Sequence, residues 1–285
     1  MSRIKEANVL VTGGANGIGK LMGQKCLQEG CANLIIWDIN EQNLEKTRRE
    51  FEGKGYKHIH TYLVDVSNLD DIERAATEVL LEIGNVDILI NNAGIVPGKN
   101  TFANHTTRDI EKTLAINVHG VMHVTRVFLN DMIAQRRGHI VNIASASSLI
   151  ALPMGSVYAA SKWAVYGWSE SLRLELEKEG GDLHVLTVCP SYIDTGMFKG
   201  VKAPLLFPLL QPEEITKKII KAIKNNDILL RAPDNVNLVP FLKGTLPTKV
   251  FDVVADYLGV YKSMDSFEGR PEAERVPEKK RKTAK

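Results

Sequence analysis

The stretch Ala7-Asn8-Val9-Leu10-Val11-Thr12-Gly13-Gly14-Ala15-Asn16-Gly17-Ile18-Gly19 decides the fold. Residues 7–12 form a short apolar run that reads as a strand. The glycines that follow make a turn. A helix over 17–29 comes next, with Ile18, Leu21, Met22 and Leu27 on one side. A strand, a glycine turn and a helix in that order can cradle a pyrophosphate. Gly13 permits the tight turn. Gly17 and Gly19 let backbone and helix approach the phosphates, and Asn16 and Ile18 lie in the same turn. The helix N-terminus points its N–H groups at the anion.

Outward from this unit, strand and helix patterns alternate. Strands are expected at 33–38, 58–64, 86–90, 139–144, 183–188 and 228–230. Helices are expected at 41–52, 68–83, 107–134, 157–179 and 213–224. Nearly continuous apolar strands separated by helices indicate a parallel sheet covered on both faces. The expected class is therefore α/β: one Rossmann-type domain with a doubly wound, parallel, seven-stranded sheet. Residues 1–267 make this domain, with a core over 5–232. An apolar, proline-punctuated extension over 233–267 forms a C-terminal helical lid. Residues 268–285 are charged, lack apolar periodicity and end in Lys279-Lys280-Arg281-Lys282, so a disordered tail is expected there.

The composition narrows the function. The chain has 285 residues, 44% of them hydrophobic, and a formal charge of +2, which suits one well-buried domain and gives no electrostatic case for nucleic acid. Cys26, Cys31 and Cys189 show no paired spacing, which fits a reducing compartment. The first strand begins without a charged-then-apolar leader, and no apolar run reaches the ~18 residues of a membrane span. A cytoplasmic protein is expected, with contact at a membrane or lipid surface left open. His119 and His123 stand at helical spacing but lack a third ligand, so no metal is expected.

Several polar residues sit at strand ends, where parallel sheets bind ligands. Asp38 closes the second strand, where a carboxylate can accept from both ribose hydroxyls and would repel a 2′-phosphate. Neither Asn16 nor Ile39 offers a phosphate a positive charge, so NAD is expected over NADP. Asp65-Val66 can meet an adenine edge. Asn92-Ala93-Gly94 lets the chain pass close to a cofactor, with Asn92 satisfying backbone groups. Tyr158 and Lys162 lie one helical turn apart on one face, and Ser145 lies at the end of the fifth strand. The ordinary tyrosine pKa of about 10 is too high for a base at neutral pH, and a neighbouring ammonium together with the positive nicotinamide of NAD lowers it. Tyr158 can then exchange a proton with an alcohol or carbonyl oxygen that Ser145 holds, while hydride moves at the same carbon. Lys162 can also donate to the nicotinamide ribose.

Taken together, Thr12-Gly13-x-x-x-Gly17-x-Gly19, Asn91-Asn92-Ala93-Gly94, Asn117, Ser145 and Tyr158-x-x-x-Lys162 resemble the short-chain dehydrogenase/reductase superfamily over residues 5–232. Trp37-Asp38-Ile39-Asn40, the stretch from Cys189-Pro190 to Thr195-Gly196, and Leu210-Gln211-Pro212-Glu213-Glu214 are similar to the retinol dehydrogenase and 17-beta-hydroxysteroid dehydrogenase-like branch. The resemblance implies that Asn117 holds a water linking lysine to solvent. It also implies that Pro190, Ile193 and Thr195 contact the cofactor. One departure is Ser191, where relatives often carry glycine.

The substrate end should be built from Ser145, Met154, Tyr158, Tyr192, Met197 and Phe198. This is an apolar set suited to a hydrophobic alcohol or ketone of retinoid, steroid or fatty type. The resemblance also implies a homodimer or homotetramer through the two long helices. Two other readings use the same residues. One is an NADP-dependent 3-ketoacyl-type reductase, which Asp38 and the apolar extension oppose. The other is a non-catalytic NAD-sensing protein, which the intact Ser145, Tyr158 and Lys162 oppose.

Overall fold

The computed structural model describes residues 3–269. Seven strands form one sheet: β1 (Asn8–Thr12), β2 (Asn33–Asp38), β3 (Ile59–Leu63), β4 (Ile88–Asn91), β5 (Arg137–Ile143), β6 (Asp182–Pro190) and β7 (Leu229–Ala232). The order is β3-β2-β1-β4-β5-β6-β7, and every pairing is parallel.

Alternation along the strands divides the core. Val9 and Val11 of β1, Leu34 and Ile36 of β2, and Ile88 and Ile90 of β4 face one side. There they meet α1 (Gly17–Gln28), α2 (Glu41–Gly53) and α7 (Pro212–Asn225) through Met22, Phe51, Ile219 and Ile223. Leu10, Ile35, Trp37, Leu89 and Ile140 face the other side. Their partners come from α3 (Leu69–Glu82), α5 (Val121–Ala134) and α6 (Ser156–Glu179), including Ile72, Phe128 and Leu172. A period of two gives each strand one wall of each layer.

The expected helix over 107–134 is interrupted. It consists of α4 (Thr107–Leu114), a π-helical turn over Ala115–Gly120, and α5. Such turns insert an extra residue and re-aim side chains, often at functional sites. Here the turn carries Asn117. The extension folds as α8 (Leu238–Thr245) and α9 (Thr248–Tyr257), packed through Val239, Phe251 and Ala255 against Val121 and Val165 of the body.

The expected tail over 268–285 falls outside the described residues except for Glu268 and Gly269. Their N–H groups donate to the Lys199 carbonyl at 2.8 and 3.3 Å, and the Glu268 carboxylate lies 3.2 Å from the Lys199 ammonium.

Candidate active site

The carboxyl ends of β1, β4, β5 and β6 open onto a cavity of about 690 Å³. Strand order reverses between β1 and β4, and ligands of open α/β sheets sit at such a crevice. The glycine turn forms its floor. Gly13 (φ 61°) and Gly17 (φ 54°) take left-handed backbone conformations that side chains resist. At Gly19 a Cβ would collide with the Gly13 carbonyl oxygen, so this glycine sets how closely α1 packs on the turn. The Asn16 side chain caps α1 by accepting from the Gly17 N–H at 2.7 Å.

Asp38 is tied into the same turn. Its carboxylate accepts from the Ala15 N–H at 3.1 Å and from the Asn40 N–H at 3.0 Å. Asp65 accepts from the Ser67 N–H and hydroxyl at 2.9 and 2.6 Å, and both Asp65 and Val66 line the cavity. Asn92 clamps strand ends together: its amide donates to the Thr12 and Gly13 carbonyls at 2.9 and 3.1 Å. Thr12, absent from the expected site, accepts on its hydroxyl from the Asn92 and Ala93 N–H groups at 3.0 and 3.1 Å. Nothing in the local sequence marks that role. A Cβ on Gly94 would stand 3.3 Å from Asn117 Oδ1 and 3.6 Å from Lys162 Nζ, so glycine keeps this wall thin.

Ser145, Tyr158 and Lys162 converge on the cavity although the turn after β5 supplies the first and α6 the others. They are 9%, 6% and 5% exposed. The Ser145 hydroxyl accepts from the Ser147 N–H at 3.1 Å. Lys162 Nζ lies 5.9 Å from the centre of the Tyr158 ring and donates to the Ile143 carbonyl at 2.7 Å. Burial lowers the Lys162 ammonium to about 8. Burial also holds the Tyr158 phenol well above its ordinary value, with neighbouring Ser145 acting in the opposite direction. Burial disfavours the charged phenolate, and the expected lowering concerns the complex in which the positive nicotinamide joins the lysine ammonium.

Asn117 is fully buried beneath the wall and does not line the cavity. Its side chain accepts from the Ile95 N–H and donates to the Ile95 carbonyl, both at 2.9 Å. It also donates to Ser161 at 3.0 Å, and Ser161 donates to the Tyr158 carbonyl at 2.7 Å. The chain from Asn117 thus reaches the backbone of Tyr158.

Pro190, Ile193 and Thr195 line the cavity beside the glycine turn, with Thr195 Cβ 3.7 Å from the position of a Cβ on Gly17. Tyr192, Met197 and Phe198 line the other end. Met154 is not among the lining residues: it has a positive φ of 63° and packs on the apolar cluster that includes Leu152 and Tyr158. Val236, Val239, Val260, Ser263 and Phe267 complete the apolar end from the C-terminal extension. Sequence reading foresaw a lid there without identifying these side chains.

The residues present fit a dinucleotide. Two left-handed glycines, the N-terminus of α1 and a carboxylate at the end of β2 border one continuous cavity. Among the described residues, no group of three or more His, Cys, Asp or Glu side chains could hold a metal ion. No described helix is long and apolar enough to cross a membrane.

The family model described as short chain dehydrogenase matches residues 7–205. Epidermal retinol dehydrogenase 2 of Mus musculus is 38% identical over 265 residues, spanning 92% of this chain and 85% of that one. Estradiol 17-beta-dehydrogenase 11 of Homo sapiens is 34% identical over 253 residues, 88% of this chain and 83% of its own. Among solved structures, a short chain dehydrogenase/reductase of Burkholderia phymatum in complex with NAD superposes with a TM-score of 0.77, covering 86% of this chain and 95% of that one. A short-chain dehydrogenase from Streptomyces avermitilis gives 0.71, with 88% and 96% covered. At 24% and 23% identity, these two speak for the fold alone. By sequence, fold and site, the chain belongs to the short-chain dehydrogenase/reductase family of oxidoreductases, on the branch that holds retinol and 17-beta-hydroxysteroid dehydrogenases.

Proposed function

We propose that the protein transfers hydride between NAD(H) and a primary or secondary alcohol, or the corresponding carbonyl, of a hydrophobic substrate of retinoid, steroid or fatty type. The observation that carries this reading is the meeting of Ser145, Tyr158 and Lys162 in the cavity that Asp38 and the glycine turn border. The nicotinamide group, when bound, supplies or accepts the hydride. Ser145 orients the substrate oxygen, and Tyr158 gives or takes its proton. Lys162 donates to the ribose and favours the phenolate once its ammonium is joined by further positive charge. Asn117 positions Ile95 and, through Ser161, the turn of α6 that carries Tyr158.

Asp38 supports NAD over NADP. Its immediate companions on the cavity wall, Ile39, Asn40 and Asn43, bring no positive charge for a 2′-phosphate. Gly13, Asn16, Gly17, Ile18, Gly19, Asp65, Val66, Asn92, Ala93, Gly94, Pro190, Ile193 and Thr195 make up the rest of the cofactor half. Tyr192, Met197 and Phe198 face the substrate. The retinol and estradiol dehydrogenase relatives support an apolar substrate for this chain too. The lid exposes Leu238, Phe241, Val253 and Tyr257, and the loop before α7 exposes Leu205, which supports contact with a lipid surface or a second copy in a homodimer or homotetramer. The decisive experiment is a screen of apolar alcohols and ketones by NADH absorbance, with NADP(H) in parallel. Turnover with NAD and an apolar alcohol is expected. A protein that binds NAD but turns over no member of such a set would sink the proposal.

A further inference from the structure

The cavity's apolar end is closed by a segment outside the family match, which stops at residue 205. Residues 260–269 return from the lid and are fastened to the loop after β6 at several points. The Tyr192 hydroxyl and the Ser263 hydroxyl are 2.7 Å apart. The Lys202 N–H donates to the Ser263 carbonyl at 3.1 Å, and the Glu268 N–H donates to the Lys199 carbonyl at 2.8 Å. A Cβ on Gly200 would collide with the Ser266 carbonyl oxygen, so the two stretches also pack backbone to backbone. On the far side, Lys99 Nζ donates to the Asp265 carbonyl at 2.6 Å, which joins the loop after β4 to the same strap.

This fastening sets one side chain into the cavity wall. Phe267 is 7% exposed and lines the cavity. Its ring lies 6.3 Å from that of Phe198, and Phe198 in turn meets Tyr158 edge-on at 6.1 Å. Tyr158 shares its apolar cluster with Leu152, Met264 and Phe267. The strap thus packs on the same group of side chains that holds the acid-base tyrosine.

We propose that Phe267 is a specificity-determining residue: its ring closes the substrate end of the cavity and sets the size of carbon skeleton that fits beside Tyr158. The inference rests on the alcohol-oxidising activity proposed for this cavity. Phe267 sits two residues from Asp265 and one from Glu268, both held by backbone contacts, so the wall it forms is fixed. Pocket size discriminates by ~10- to 200-fold per methylene group gained or lost.

The test compares the full-length protein with Phe267→Ala and Phe267→Leu. Primary alcohols from butanol to dodecanol and a bulky cyclic alcohol are assayed with NAD. Separately, parinaric acid, a fluorescent polyene, is titrated into the NAD-loaded protein. Phe267→Ala should raise kcat/KM for the bulkiest alcohol relative to the smallest by at least ~10-fold, chiefly through KM. It should weaken parinaric acid by at least ~5-fold, because the slim chain loses a packing wall. NAD affinity should hold, and Phe267→Leu should fall between. If Phe267→Ala does not fold, Phe267→Leu and Ser263→Ala must show the same trends at smaller amplitude. An unchanged size profile with unchanged parinaric acid affinity overturns the inference. A wild-type protein that oxidises no alcohol, paired with a clear loss of parinaric acid affinity in the variant, refutes the proposed activity and leaves the size gate standing.

Discussion

Replacing Lys162 with methionine should make the protein more stable and nearly inactive. Lys162 is buried, and burial lowers its ammonium from 10.5 to about 8. Each pKa unit is worth about 1.4 kcal/mol, so holding this charge inside costs about 3 kcal/mol at neutral pH. Methionine has nearly the same length and no charge, so it relieves that cost. It also removes the donor to the Ile143 carbonyl, a 2.7 Å contact whose loss costs about 1–2 kcal/mol. The net expectation is a gain of about 1–2 kcal/mol at pH 7, or a rise in Tm of ~3–5 °C.

The sign can be followed with pH. Above about 10.5 lysine is neutral in both folded and unfolded chains, and the variant's advantage from charge disappears. As pH falls below that value the unfolded lysine takes up a proton that the folded one resists. The penalty grows until the folded lysine also charges near 8, and below that it is constant. Urea unfolding of both proteins from neutral to strongly alkaline pH measures this difference directly. Turnover of the variant should drop by at least ~10²-fold at every pH. A variant less stable than wild type at pH 7, or a stability difference that does not change with pH, would refute the reasoning.

Tyr158→Phe removes one oxygen from the apolar cluster, so folding and NAD affinity should survive while turnover falls by ~10²–10⁴; Ser145→Ala should lower turnover with NAD affinity unchanged, read by single-turnover kinetics and NAD titration. Asp38→Ala frees the Ala15 and Asn40 N–H groups and removes the charge facing a 2′-phosphate, so the NAD:NADP ratio of kcat/KM should narrow or reverse. Equal use of both cofactors by the unaltered protein would count against Asp38. His139, buried on β5 between β4 and β6 with its ring tilted 5.5 Å from that of His184, is lowered from 6.5 to about 3, chiefly by burial. The unfolded chain therefore takes up this proton first. Stability should decline by up to about 1.4 kcal/mol per unit as pH falls from 6.5 toward 3, and His139→Leu should flatten that part of the curve in thermal melts.

Sequence alone determined what depends on near neighbours along the chain. A strand that needs one apolar residue per face, a turn that needs left-handed glycines, and a helix that places Tyr158 and Lys162 on one side all follow from local backbone geometry. These elements occur where the residue pattern places them, shifted by one or two positions at their ends. Motif context likewise made the glycine turn, Asp38, Ser145, Tyr158 and Lys162 legible, since each lies at a strand end or helix start whose location the pattern defines.

Tertiary structure alone decided the rest. The extra residue in the π-helical turn became visible only with Asn117 bonded to Ile95. Thr12 gained its role from β4 arriving beside β1. Burial raises the Tyr158 phenol in the protein by itself, and desolvation of this kind depends on every neighbour and not only on a charged one. Phe267 reaches the site from on the order of a hundred residues further along the chain. No periodicity carries such a contact. It arises when crossovers fold distant segments over one strand edge, and only the packed chain shows which side chain meets the cavity.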